Sequence, residues 1–201
     1  MKHQEHILAI YADAVKTTSD ELQMVEVNIE PGDVMLGQRK KLELSPQFRQ
    51  VITYAVLQCG DKIAVYSRTA SGGESRLHGK VSCGFGGHVD LADIEFDKES
   101  SVIYFDTTVK KAAIREINEE VEINRSLSLS DIEILPEKIV SSESDVDAVH
   151  IGLVTIIHLD SENISSKEDQ LNILGFKTPS EILEYPEIEN WTRGLCEFLK
   201  K

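Results

Sequence analysis

The most informative stretch of this chain is Arg115-Glu116-Ile117-Asn118-Glu119-Glu120-Val121-Glu122-Ile123. Residues three and four apart are neighbours on an α-helix, so Glu116 would lie beside both Glu119 and Glu120. Like charges four residues apart cost a helix roughly 0.2–0.5 kcal/mol. Such conflicts are expected at functional sites, because a divalent cation would convert the repulsion into oxygen coordination. The alternative for this stretch by itself is a solvated acidic helix face.

A glycine turn precedes the acidic stretch. The turn reads Gly84-Phe85-Gly86-Gly87-His88, and it is followed by an acidic segment. Asp106 belongs to the residue types that favour the position just before a helix. We therefore predict a helix from Asp106 to about Glu122, with the glycine turn upstream of it.

Arg115 to Glu120 resembles the second half of the Nudix box, which reads Gly, five residues, Glu, seven residues, Arg-Glu-U-X-Glu-Glu-X-Gly-U, where U is aliphatic. Gly87 is the best match for the first glycine of the box. It lies 28 residues before Arg115 instead of 14, so the resemblance implies an insertion of 14 residues. In strict register the first Glu of the box falls on Thr107. Candidates to replace that Glu are Glu95, Asp97 and Glu99.

Further segments, in the same order along the chain, resemble a branch of Nudix phosphoesterases. A single motif of the Arg-Glu-U-X-Glu-Glu type is short enough to arise by chance, so the ordered set carries the weight. Together the matches span about residues 45–200, although Glu122 replaces the last glycine of the box. The other matching segments are Gln50–Tyr54, Tyr66–Arg68, Gly73–Lys80 and Gly84–His88.

The Nudix resemblance implies a fold of the α/β class. It would be an α/β/α sandwich around a mixed β-sheet, with an N-terminal β-rich extension. We assign residues 1–45 to the extension, which would pack on the same domain, and residues 46–201 to the Nudix domain. The length of 201 residues suits one domain with a small appendage.

The resemblance also implies an active site. Glu116, Glu119 and Glu120 would be the catalytic residues and would bind Mg²⁺ or Mn²⁺, with the backbone carbonyl of Gly87 as a further ligand. Arg115 would orient the glutamates. The implied reaction is hydrolysis of a pyrophosphate linkage in a nucleoside diphosphate derivative or a related phosphorylated metabolite.

The net charge of −14 discourages binding to nucleic acid, whose backbone requires clustered Lys and Arg. A phosphorylated small molecule would therefore need local cationic groups. For each of these cations the alternative is an ordinary surface charge. We predict that substrate contacts come from Arg68, Arg76, Lys80 and His88.

The sequence shows no export signal and no apolar run long enough to span a bilayer. Cys59, Cys83 and Cys196 are odd in number and widely spaced, which argues against a disulfide framework and a structural zinc site. These features predict a protein of the reducing cytoplasm that does not associate with membranes. Oligomeric state is not encoded in any pattern we can read.

Two alternatives to hydrolysis remain. Isopentenyl diphosphate isomerases resemble Nudix proteins but carry a catalytic Cys two residues before a His; relative to His88 that position is Gly86, and Cys83 is five residues away. A buried, inert thiol is the expected state of Cys83. The second alternative is a module that binds a nucleotide or a protein without turnover, because a fold does not guarantee a function.

The remaining elements follow from hydrophobic periodicity. Val- and Ile-rich segments joined by Cys59-Gly60-Asp61 predict a β-hairpin. The run from Asp145 to Leu159 predicts one long strand or a bent pair, and Thr178 marks a helix start. The predicted strands of the hairpin are Gln50–Gln58 and Lys62–Ser67, and the last predicted helix is Glu187–Lys200.

Overall fold

The computed structural model describes residues 5–69 and 79–200 of the chain. The strands are β1 His6–Tyr11, β2 Gln23–Glu26, β3 Val34–Gln38, β4 Phe48–Cys59, β5 Lys62–Arg68, β6 Val81–Ser82, β7 Val121–Ile123, β8 Ile132–Val140, β9 His150–His158, β10 Ile164–Ser166 and β11 Leu171–Lys177. The α-helices are α1 Arg39–Leu42, α2 Phe105–Glu120, α3 Asp145–Ala148, α4 Pro179–Ile182 and α5 Asn190–Leu199. Within these two ranges, no helix is long and apolar enough to cross a membrane.

A mixed sheet forms the centre of the molecule. Its main path runs in the order β11-β5-β4-β9-β8-β2, while β1 pairs with β3 and β4, and β6 pairs with β5. β4 and β9 run parallel along their length. The β4–β5 hairpin turns at Gly60, whose φ of 62° is readily adopted by glycine. The predicted hairpin is therefore confirmed.

Helices cover both faces of this sheet. Alternate residues of β4 point to opposite sides. Val56 packs in the cluster that includes Leu195 of α5. Leu57 packs in the cluster that includes Ile117 of α2. The sheet thus lies between α2 on one face and α4 with α5 on the other, so the predicted α/β/α sandwich is confirmed.

The acidic helix differs from the prediction at both ends. Tyr104, not Asp106, precedes the first turn, and Asp106 lies inside that turn. The helix ends at Glu120 because the chain then extends as β7, which pairs with β10 and buries Val121. β-branched residues on alternate positions favour this extended conformation. Glu122 is consequently outside the helix.

Other predicted elements are partly right. Thr178 caps α4 as expected, since its side chain accepts a hydrogen bond from the Glu181 amide. The run from Asp145 begins with the short helix α3 before β9, because Ser144 caps a helical turn there. The last helix begins only at Asn190, after Glu189.

The N-terminal segment continues the central sheet. β1 lies antiparallel to β4, and it also bonds the chain that leaves the glycine turn. The Leu8 amide donates to the Val89 carbonyl over 2.8 Å, and the Leu91 amide donates to the His6 carbonyl over 3.0 Å. The glycine turn is therefore held between two strands. The boundary near residue 45 stays a prediction.

Candidate active site

The glycine turn lies along the edge of β4. The amide and the carbonyl of Phe85 both bond to Ala55, over 2.8 and 2.7 Å, and the Thr53 amide donates to the Gly87 carbonyl over 3.0 Å. Gly86 has a φ of 151°, and a Cβ there would lie 2.0 Å from the Thr53 carbonyl oxygen. Only glycine can pass this close to the strand. The approach fixes where the turn meets α2.

Two glutamates of α2 meet this turn. The Glu116 carboxylate lies against Gly87, where an added Cβ would be 2.8 Å from Glu116 Oε1. The Gly86 amide lies near the Glu120 carboxylate and favours its charged form, which lowers its pKa. Glu120 is only 7% exposed, and no group within residues 5–69 and 79–200 forms a hydrogen bond with its Oε2. A buried carboxylate oxygen without a partner is rare in proteins and calls for an explanation.

Glu119 and Arg115 complete the group. The Glu119 side chain is 58% exposed, so it is open to solvent. Arg115 Nη1 donates to Glu116 Oε1 over 2.7 Å and lies 3.5 Å from Glu119 Oε2. Its Nη2 donates to the His88 carbonyl over 3.1 Å. Arg115 therefore joins two glutamates to the glycine turn.

Asp93 is the residue that sequence reasoning missed. Its two carboxylate oxygens accept hydrogen bonds from Arg115 Nε and Nη2 over 2.9 and 2.8 Å, and its side chain is 4% exposed. A bidentate pair of this kind fixes the guanidinium in direction as well as position. The signal was present, because Asp93 follows Gly87 after five residues, which is the spacing from Gly to Glu in the Nudix box.

The residues proposed above for the position of the first box Glu lie away from Arg115 or make other contacts. Thr107 lies in the first turn of α2, about 13 Å along the helix axis from Glu116. Glu95 pairs with Lys111 at the surface, and Asp97 accepts the amides of Glu99 and Ser100 in a tight turn. The inserted residues therefore follow Asp93 and form an ordered hairpin, in which Phe96 bridges to Ile103.

Burial raises the pKa of the two inner glutamates. Desolvation is the largest cause at both. The pKa of Glu116 is raised from 4.5, although the Arg115 charge opposes the shift. The pKa of Glu120 rises to about 8, with Arg68 opposing and Glu116 adding to the effect. Glu120 therefore carries a proton at neutral pH when no cation is near.

The raised pKa of Glu120 makes the stability of the fold depend on pH. Between its unfolded pKa of 4.5 and its folded pKa of about 8, Glu120 binds more proton in the folded state, so stability falls as pH rises. His88 has the opposite effect on stability, but only below pH 6.5, its unfolded pKa, because burial lowers its folded pKa to about 3. We expect the urea midpoint of the metal-free protein to fall between pH 6.5 and 8. In Glu120→Gln the urea midpoint should change less with pH over this range. An equal change in the variant would show that Glu120 is not the group responsible.

Two of the residues predicted to bind phosphate, Arg68 and Lys80, lie near one end of β5. Arg68 ends β5, where its guanidinium carbon lies 5.5 Å from the centre of the Tyr66 ring, and its charge acts on Glu120. The Gly79 amide donates to the Arg68 carbonyl over 2.9 Å, so Lys80 returns beside this strand end. Arg76 lies outside the described residues.

The His88 ring is committed to other protein groups. Its Nε2 lies 2.9 Å from Gln50 Oε1, and its centre lies 5.4 Å from that of His150. Burial, followed by the charge of Arg39, lowers its pKa to about 3, so the ring is neutral. A substrate contact through Nε2 would require the ring to leave Gln50.

Cys83 is fully buried, as the sequence indicated. A hydrogen bond with Cys196, together with burial, raises its pKa well above the ordinary value. A thiol in this state is a poor nucleophile. The geometry thus gives no support to the isomerase alternative.

The donors around the turn suit a hard divalent cation. Carboxylates and backbone carbonyls are the oxygen ligands that such ions prefer, and Glu120 Oε2 is a buried acceptor without a hydrogen bond in the described part of the chain. In residues 5–69 and 79–200, no three His, Cys, Asp or Glu side chains are already close enough to enclose an ion. Arg115 occupies Glu116 Oε1, so an incoming cation would have to compete with this contact.

The chain is similar to known proteins over most of its length. No family model matches the chain. Protein YmaB of Bacillus subtilis (strain 168) is 30% identical over 166 residues, which cover 81% of this chain and 76% of YmaB. The crystal structure of Tm1382, described as a Nudix hydrolase, aligns with a TM-score of 0.72 and 25% identity over 97% of this chain and 98% of Tm1382. The likeness includes the N-terminal strands as well as the acidic helix.

Proposed function

The chain belongs to the Nudix hydrolase superfamily, and from this we propose that it is a divalent-metal-dependent hydrolase of pyrophosphate linkages. Its substrate would be a nucleoside diphosphate derivative or a related phosphorylated metabolite. The observation that carries the proposal is the buried Glu120 carboxylate, with one oxygen unsatisfied, beside Glu116 and the glycine turn. Leaving such a group without a partner costs about 1–3 kcal/mol or more, and a cation would remove that cost.

The proposed ligands are Glu116, Glu119, Glu120 and the Gly87 carbonyl. Bound Mg²⁺ or Mn²⁺ supplies charge neutralisation for phosphate oxygens and lowers the pKa of a coordinated water. Glu120 must give up its proton for the site to fill, because its pKa is about 8 without a cation. Metal binding should therefore strengthen from pH 6.5 to pH 8.

The protein groups around the ligands have separate roles in this proposal. The positive charge of Arg115 offsets the repulsion between Glu116 and Glu119, and its contacts hold both carboxylates at the turn. Glu119 is open to solvent, so it is the carboxylate best placed to accept a proton from an attacking water. Arg68 and Lys80 would hold phosphate oxygens as charge-assisted donors. Arg76 is proposed on sequence alone.

The test is a panel of nucleoside diphosphate derivatives and dinucleotides incubated with Mg²⁺ or Mn²⁺, with release of phosphate or nucleotide as the readout. Wild type should turn over at least one class of substrate, and chelation with EDTA should abolish the activity. Mn²⁺ titration followed by electron paramagnetic resonance measures the site independently of any substrate. Ligand binding without turnover across the panel would replace the hydrolase with a binding module.

A further inference from the structure

A hydrogen-bond network lies on the face of the sheet opposite α2, where α5 begins. Glu189 Oε2 accepts three hydrogen bonds: from Tyr54 Oη over 2.9 Å, from the Thr192 amide over 3.1 Å and from Thr192 Oγ1 over 2.8 Å. Thr192 is fully buried and Tyr54 is 6% exposed. We call Glu189, Tyr54 and Thr192 the cap network.

The cap network is bonded to the strand that runs into the glycine turn. Thr192 Oγ1 accepts the Cys83 amide over 3.1 Å. The preceding backbone is paired as well, since Val81 donates to the Glu187 carbonyl over 2.9 Å and the Glu189 amide donates back to Val81 over 3.0 Å. Residues 81–83 are therefore fixed to the start of α5 at three points.

Tyr54 also fixes the next residue, Gly84. A Cβ at Gly84 would lie 2.1 Å from Cζ of the Tyr54 ring, so the ring packs directly on the backbone. From another direction, Tyr66 Oη donates to the Gly84 carbonyl over 2.6 Å. On the α2 side, Gly87 lies against the Glu116 carboxylate, where an added Cβ would be 2.8 Å from Oε1, and the Gly86 amide lies near the Glu120 carboxylate.

We propose that the cap network positions the active site from across the sheet. By holding residues 83–84, it sets the direction in which the turn passes β4, and with it the places of the Gly86 amide and the Gly87 carbonyl. Glu189, Tyr54 and Thr192 are positioning residues, because they act through the turn and have no bond to the α2 glutamates. The inference rests on the proposed function, in which those groups surround the cation.

Thr192→Val tests the inference because it keeps the side-chain shape and removes Oγ1. The Cys83 amide then loses its acceptor, and the chain is freed at the residue just before the glycine turn. Thr192→Ser keeps the oxygen and is the conservative variant. Ile182→Val is the matched control, since Ile182 is fully buried in the same cluster as Tyr54 but has no bond to the turn.

Two readouts are needed besides kcat and KM. Amide hydrogen exchange of residues 83–87 in the metal-free protein should rise about tenfold in Thr192→Val, the change expected when one hydrogen bond is lost. The Mn²⁺ dissociation constant should rise by a similar factor, again about tenfold. Thr192→Ser should stay near wild type in both. Ile182→Val should lower the melting temperature without changing either readout.

Equal exchange and equal Mn²⁺ affinity in Thr192→Val and Ile182→Val would overturn the inference. If Thr192→Val does not fold, Tyr54→Phe removes one hydroxyl from the cap network while it keeps the ring on Gly84, and the same two readouts apply. Failure of wild type to bind Mn²⁺ would refute the proposed function instead. In that case hydrogen exchange at residues 83–87 still decides whether the cap network holds the turn.

Discussion

Replacing Glu120 with Gln is expected to lower divalent-dependent turnover by at least about 10²-fold, because a neutral amide is a poorer ligand for Mg²⁺ or Mn²⁺. The metal-free fold should be unaffected at pH 7. Glu120 has a pKa of about 8 and is already largely uncharged there, and Gln has nearly the same size. Loss of activity without loss of stability is therefore the expected signature of this position.

The acidic stretch provides matched controls for the same chemical change. Glu119→Gln should also lose at least about 10²-fold in turnover, since Glu119 would act on the metal or the attacking water. Glu122→Gln should stay within about twofold, because Glu122 is exposed, lies outside α2 and pairs with Lys167 at the surface. Steady-state rates and urea midpoints on all three variants provide the comparison. Near wild-type rates in both Glu119→Gln and Glu120→Gln would refute the metal assignment.

The fold could be predicted where short-range patterns dominate. The β4–β5 hairpin follows from the Val- and Ile-rich segments on either side of Gly60, and the acidic helix follows from its apolar spacing. The sandwich itself came from the Nudix resemblance. Periodicity alone could not show which strands pair, because the parallel partner of β4 is β9, about 100 residues later in the chain.

Helix ends were less predictable because they depend on distant partners. The sequence favoured a helix up to Glu122, yet Val121 to Ile123 pair with Ile164 to Ser166. A strand partner that far along the chain outweighs the weak local preference for helix. At the other end, Asp106 is a good capping residue by type, but Tyr104 takes the capping position two residues earlier, so the helix starts at Phe105.

The candidate site could be predicted only in part, because it too depends on distant segments of the chain. The helix positions of Glu116, Glu119 and Glu120 follow from spacing, but their environments differ because only Glu119 faces solvent. Burial of Glu120 arises from the glycine turn and from β5, which no helical pattern encodes. The raised pKa of Glu120 is therefore a tertiary property.

The place of the first box carboxylate shows how an insertion misleads sequence reasoning. Counting back from Arg115 crosses the inserted residues and arrives at Thr107. Counting forward from Gly87 avoids them and arrives at Asp93. Asp in place of Glu obscured the match further. The structure identifies the residue by its bidentate contact with Arg115 instead.

Asp93→Ala is expected to be the most destabilising single change near the site. Asp93 is buried and Arg115 half-buried, so the variant leaves a guanidinium without its main partner at a cost of about 2–4 kcal/mol. For a chain of this size we expect a fall in melting temperature of roughly 5–15 °C. Turnover should fall as well, because Arg115 is then free to move away from Glu116 and Glu119. Thermal unfolding and Mn²⁺ titration measure the two effects separately.

Glu95→Ala is the matched comparison for this change. Glu95 is an acidic residue two positions later, and it forms an exposed pair with Lys111, so its loss should cost less than about 1 kcal/mol and leave Mn²⁺ affinity unchanged. Asp93→Glu keeps the charge and restores the residue type of the Nudix box. It should therefore retain more of the melting temperature and of the Mn²⁺ affinity than Asp93→Asn. If Asp93→Ala and Glu95→Ala behave alike, Asp93 does not position Arg115, and the glutamates of α2 are held by the glycine turn alone.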